Sequence, residues 1–129
     1  MNAYSRFGAV RARYQNVDLA SRVEGASPHG LVSILLDELM KSLEAMAAAC
    51  NRRDFSQRGA AQSRALNMIN GLETSLDFEK GGEIAQSLAS IYREARRLIL
   101  AGARDNDPQQ VLSARTMVGE IASAWQAIA

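Results

Sequence analysis

From Leu31 to Cys50 the chain contains neither glycine nor proline, and this uninterrupted stretch limits the accessible folds more than any other feature. Ser27-Pro28 begins it. The serine oxygen can accept an unpaired backbone N–H, and proline at the first helical position gives up an N–H that would have had no intrahelical partner. Leucine, methionine and alanine fill the run, and all three favour the helix. The predicted helix, residues 28–50, extends about 35 Å at ~1.5 Å per residue. Placed about 100° apart, Leu31, Val32, Leu35, Leu36, Leu39, Met40, Leu43, Met46, Ala47 and Cys50 cover roughly half the circumference, and Ile34 lies outside that arc. An ordinary surface helix needs an apolar face only about 100° wide. The surplus predicts a helix surrounded on most sides, or one that keeps a face for something else.

Three more amphipathic segments follow. Asn51-Arg52-Arg53-Asp54 predicts a tight connection, with Asp54 and Gln57 at capping-box spacing. The helix expected over 55–76 gathers Ala61, Ala65, Met68, Ile69, Leu72 and Leu76 within about 100°, with Leu66 to one side. Residues 77–82 (DFEKGG) read as a loop broken by adjacent glycines. A helix over 83–104 collects Ile84, Ala85, Leu88, Ile91, Tyr92, Ala95, Leu98 and Ile99 on one face. Asp107-Pro108 starts the last, 108–128, whose face holds Val111, Ala114, Met117, Val118, Ile121, Ala122, Trp125 and Ile128. Four helices of about twenty residues with short connections predict an all-α, antiparallel up-down four-helix bundle over residues 28–129. Residues 1–27 predict a short N-terminal arm, helical or extended, that docks through Tyr4, Phe7, Tyr14 and Val17. Trp125 and Tyr92 are expected to close the core, the tyrosine with its hydroxyl reaching the surface.

Composition removes several function classes. At 129 residues the chain suits one domain with a single core. Fifteen basic and fourteen acidic residues leave a net charge of +1, which argues against a protein that neutralises many nucleic-acid phosphates. Cys50 is the only cysteine, so no disulfide forms within the chain and a reducing compartment is expected. The first ten residues lack the apolar core of a signal peptide, and no run approaches the ~18 apolar residues of a membrane span. A soluble cytoplasmic protein without membrane insertion is predicted. His29 is the only histidine; a di-iron bundle needs two Glu-x-x-His pairs and a zinc site needs more Cys or His ligands. Cys50 and His29 lie near opposite ends of one helix, too far apart for a dyad. No catalytic residue, metal or cofactor is predicted, and the chain reads as a non-enzyme.

What remains is apolar surface. Ile34, Leu66 and Leu100 each lie beside or outside the main arc of their helix, and together with neighbours such as Leu31 and Leu35 they can form grooves for helical turns of a partner. One reading is a bundle that binds a client chain. The alternative is a structural bundle that self-associates through the same strip without a client.

The order of particular residues favours the first. Tyr14, Ala26-Ser27-Pro28, Leu31 and Leu35-Leu36-Asp37 are followed by Ser75-Leu76-Asp77, Gly81-Gly82-Glu83-Ile84-Ala85, Leu88, Ile91-Tyr92, Leu98, Asp107 and Ala124-Trp125. This ordered set resembles FliS, the family of flagellin-specific export chaperones, from about Tyr14 to the C-terminus. At Leu36-Asp37-Glu38, relatives commonly carry an aromatic before the aspartate and a glycine after it. The resemblance implies a cytoplasmic chaperone that binds the disordered C-terminal region of flagellin, prevents premature polymerisation and assists delivery to the flagellar type III export gate. The implied partners are that flagellin segment and the cytoplasmic domain of the export gate, with the chaperone a monomer or weak homodimer. The expected partner-binding residues are Tyr14, Val17, Leu31, Ile34, Leu35, Leu66 and Leu100. The resemblance further implies that the N-terminal segment, through Tyr14 and Val17, covers the same surface when no client is bound.

Overall fold

The computed structural model describes residues 19–128. Among them, residues 19–31 belong to one compact unit and residues 32–128 to another. In the first, residues 19–24 are helical, and the Ser27 hydroxyl accepts the Gly30 N–H at 3.0 Å. This is the capping role expected of the serine in Ser27-Pro28.

Four helices follow: α1 (Pro28–Arg52), α2 (Phe55–Thr74), α3 (Phe78–Asp105) and α4 (Pro108–Ala127). Aspartate begins each of the last three. Asp54 accepts from the Gln57 N–H at 3.1 Å, Asp77 from Glu79 and Lys80 at 3.1 and 3.0 Å, and Asp107 from Gln109 at 2.9 Å. Each carboxylate satisfies N–H groups that the first helical turn leaves unpaired.

The segment 77–82 differs from its sequence reading. Because Asp77 caps two N–H groups, Phe78 to Gly81 form a helical turn rather than a loop, and the Gly81 N–H reaches the Asp77 carbonyl at 2.7 Å. The break comes at one residue: Gly82 has φ 50° and ψ −124°, a conformation that costs glycine little and other residues much.

Ties between helices define the topology. Glu44 of α1 pairs with Arg115 of α4 at 3.0 Å. Arg96 of α3 pairs with Glu73 of α2 at 2.7 Å and donates to Asn70 at 2.9 Å. At the other end of α2, Arg58 donates to Asn106 at 3.0 Å. From Arg58 forward to Glu73 along α2, the partners on the α3 side run backward from Asn106 to Arg96, and the antiparallel four-helix expectation is borne out. Leu36, Leu39, Leu43 and Met46 from α1, Ile69 and Leu72 from α2, Tyr92 and Ile99 from α3, and Val111 and Val118 from α4 fill the core. At the α3–α4 turn Gly102 lets the helices close up: a Cβ there would stand 2.6 Å from Val111 Cγ2.

Candidate functional site

The apolar face of α3 behaves differently along its length. Tyr92, Ala95 and Ile99 are buried, Leu88 and Ile91 are half-buried, and Ile84 is 72 % exposed. On α4, Val118 and Ile121 are buried and Trp125 is half-buried, and Ile128, which caps its C-terminus, is 69 % exposed. Antiparallel pairing puts the start of α3 beside the end of α4, so both exposed ends fall together. They line a groove of about 430 Å³ walled by Ile84, Leu88, Ile91, Met117, Ile121, Ala124, Trp125 and Ile128, with Glu120 as its one charged lining residue.

A second groove, about 300 Å³, opens on the neighbouring side between Val32, Leu76, Asp77, Lys80, Gly81, Ala85 and Tyr92, and shares Ile84, Leu88 and Trp125 with the first. The kink at Gly82 sets its rim, because Lys80 and Gly81 belong to the turn that precedes the break. Two joined apolar concavities with a few charges at their edges form a docking surface for apolar side chains, not a chemical centre.

The titratable groups agree with that description. Burial, reinforced by the negative charge of Glu73, pushes the Tyr92 phenol up to about 12. Burial also raises the Cys50 thiol, so it stays protonated and unreactive as a core residue. Among the described residues no group of three or more His, Cys, Asp or Glu side chains could hold a metal ion.

Of the residues expected from the sequence to bind a partner, the five that are described are not gathered in this groove. Tyr14 and Val17 lie outside the described residues. Leu31 is half-buried in the first unit. Ile34 and Leu35 are half-buried on α1, and Leu66 is half-buried on α2. Leu35 and Leu66 pack against the core. Leu100 stands out from α3 at 47 % exposure. Leu31, Ile34, Leu35, Leu66 and Leu100 line neither groove. The grooves are built from residues whose periodicity assigned them to the core, above all Ile84, Trp125 and Ile128. Trp125 does pack against the core, yet its side chain also forms wall. The available signal was axial: Ile84 and Ile128 are the first and last apolar residues of their helical faces.

Residues 10–129 match the family described as flagellar protein FliS. This chain belongs to the FliS family. The flagellar secretion chaperone FliS of Salmonella typhimurium is 37 % identical over 116 residues, covering 89 % of this chain and 86 % of that protein. FliS of Vibrio cholerae is 31 % identical over 121 residues, with 94 % and 88 % covered. The related FliSB of Pseudomonas aeruginosa is 28 % identical over 116 residues, with 90 % and 92 % covered. The resemblance carried by Ser75-Leu76-Asp77, Gly81 to Ala85 and Ala124-Trp125 is borne out. FliS is a family of chaperones, not of enzymes. Among the described residues of this FliS-family chain, no helix is long and apolar enough to cross a membrane.

Proposed function

We propose that this protein is a cytoplasmic export chaperone whose client is the disordered C-terminal region of flagellin, which it keeps from polymerising early and helps deliver to the flagellar type III export gate. The observation that carries the reading is the joined apolar groove between the start of α3 and the end of α4 in a chain of the FliS family. A segment that buries its apolar side in a finished filament is adhesive before assembly, and a groove rimmed by Ile84, Trp125 and Ile128 offers it a temporary apolar surface. The client is ordered only on binding, which costs roughly 2–5 kcal/mol of the gross interaction, so a long wrapped contact is required. The client path therefore continues from the groove over Leu100 on α3, Leu66 on α2, and Leu31, Ile34 and Leu35 on α1. Tyr14 and Val17 of the N-terminal segment cover part of that path in the unloaded protein, a monomer or weak homodimer. The loaded complex then docks on the cytoplasmic domain of the export gate.

Ile84→Ala tests the groove without touching the core, because the side chain is 72 % exposed. Covering an isoleucine fully is worth roughly 1.5–3 kcal/mol, so covering most of one contributes about 1–2 kcal/mol, or roughly a tenfold change in Kd. Calorimetric titration with the purified flagellin C-terminal segment should show that loss at unchanged thermal stability. Ile34→Glu and Leu100→Glu measured alongside should also weaken binding if the path runs over those helices. Unchanged affinity in all three variants, or a stable dimer by sedimentation that ignores flagellin, rejects the reading.

A further inference from the structure

The opposite end of the bundle, about 30 Å along α3 from Ile84, carries a second surface of different chemistry. Phe55, the first residue of α2, is 49 % exposed. It is nonetheless held from two directions: the Arg53 and Arg58 guanidinium carbons lie 5.4 and 5.0 Å from its ring centroid, within the range of cation–π attraction. Arg53 occupies that place with φ 57°, and Asn106 in the facing loop has φ 47°. These are the only non-glycine residues with positive φ among the described residues. Asparagine adopts that conformation readily, whereas arginine has no short polar side chain to compensate for it.

The surface is also braced. The Asn106 side chain accepts from Arg58 at 3.0 Å and donates to the Cys50 carbonyl at 3.2 Å, which ties the end of α1 and the start of α2 to the α3–α4 connection. Carboxylates are near, but each has its own contacts. Asp54 and Asp107 cap helices, and Asp105 accepts from Arg104 and Gln110. Arg52 and Arg53 have no ion pair with any described residue. Arg52, in the last turn of α1, complements the helix dipole. Arg53 lies beyond the helix and lacks even that purpose.

We propose that this corner docks an acidic segment of a partner protein that carries an aromatic or large apolar side chain. Carboxylates of the segment pair with Arg52 and Arg53, and the apolar side chain lies on the exposed part of Phe55. Preorganisation is the reason for the strain: Arg53 is held against the ring before the partner arrives, so little side-chain freedom is lost on binding. A single-stranded nucleic acid could stack on the same ring, but a chain of net charge +1 lacks the long basic track such binding needs. The corner and the groove share no residue, so both can be occupied at once.

The test is an NMR titration of the isotope-labelled full chain with a short peptide of alternating glutamate and leucine around a central phenylalanine. A matched peptide with lysine for glutamate and a short single-stranded DNA are run in parallel. Amide shifts are expected at residues 52–58 and 104–107 with the acidic peptide, fading as salt is raised and persisting when the flagellin segment is bound. Arg53→Gly relieves the positive φ, so it should melt at or above the parent temperature while binding the acidic peptide about tenfold more weakly. Phe55→Ala should weaken it similarly, and Arg93→Glu, on the side of α3, should leave it unchanged. Equal binding of the lysine peptide, tighter binding of DNA at the corner, shifts elsewhere, no binding, or full affinity in Arg53→Gly would overturn the proposal.

Discussion

Two glycine-to-alanine substitutions should move stability in opposite directions, for reasons visible around each residue. Gly102 lies where the end of α3 meets the start of α4. A Cβ added there meets Val111 Cγ2 at 2.6 Å and the Asp107 carbonyl oxygen at 3.2 Å. Val111 is fully buried and β-branched, so it has few alternative rotamers, and the carbonyl belongs to a backbone turn held by the Asp107 N–H bond to Gly102 at 2.9 Å. Neither neighbour can yield cheaply. Overpacking of this kind costs about 1–3 kcal/mol, against which the better helix propensity of alanine returns up to about 1 kcal/mol. The expected net loss for Gly102→Ala is about 1–2 kcal/mol. Gly59, within α2, has nothing within 4 Å of an added Cβ, so Gly59→Ala should gain about 0.5–1 kcal/mol. At roughly 4 °C per kcal/mol for a domain of this size, the two variants should melt about 6–12 °C apart. Thermal and urea unfolding followed by far-ultraviolet circular dichroism reads the difference directly. If Gly102→Ala melts at or above Gly59→Ala, the close approach at the α3–α4 turn is not what that glycine provides.

Other expectations follow from single contacts. The Tyr92 phenol titrates at about 12 when folded against 10 when free, so its stabilising effect is complete below pH 10 and declines as pH rises toward about 12. The decline is about 1.4 kcal/mol per pH unit, and Tyr92→Phe should flatten the alkaline limb of the stability–pH curve. Asp107→Ala removes the cap of α4 and should cost about 1 kcal/mol, while Asp107→Asn should retain most of it in the same melts. Deleting residues 1–18 should leave the thermal unfolding of the bundle cooperative and speed association with the flagellin segment in stopped-flow mixing; slower association would make that segment part of the client site rather than its cover.

Three helix starts were legible from the side chains that announce them: Ser27-Pro28, Asp54 and Asp107-Pro108 each occupy the capping place their residue type suggests. Asp77 carries the same signal, but the adjacent glycines masked it. One glycine does break the helix, at Gly82, while Gly81 remains helical. The groove was harder to read because periodicity reports the angle of a side chain around its helix and says nothing of what stands opposite. Ile84 has the same angular credentials as Tyr92, yet it lies near the end of the bundle, where the neighbouring helices no longer cover it. Leu35 and Leu66 show the converse: near the edge of the apolar arc, they still find core to pack on. The surplus of apolar surface was therefore visible in the sequence, while its location required the pairing of α3 with α4.

Trp125 is the chain's single tryptophan, and it stands in the wall common to both grooves. A half-buried indole there makes the protein its own optical reporter. Water leaving the groove as a client settles should shift the emission to shorter wavelength, so loading and release can be followed in real time on unlabelled material, provided the incoming chain has no tryptophan of its own.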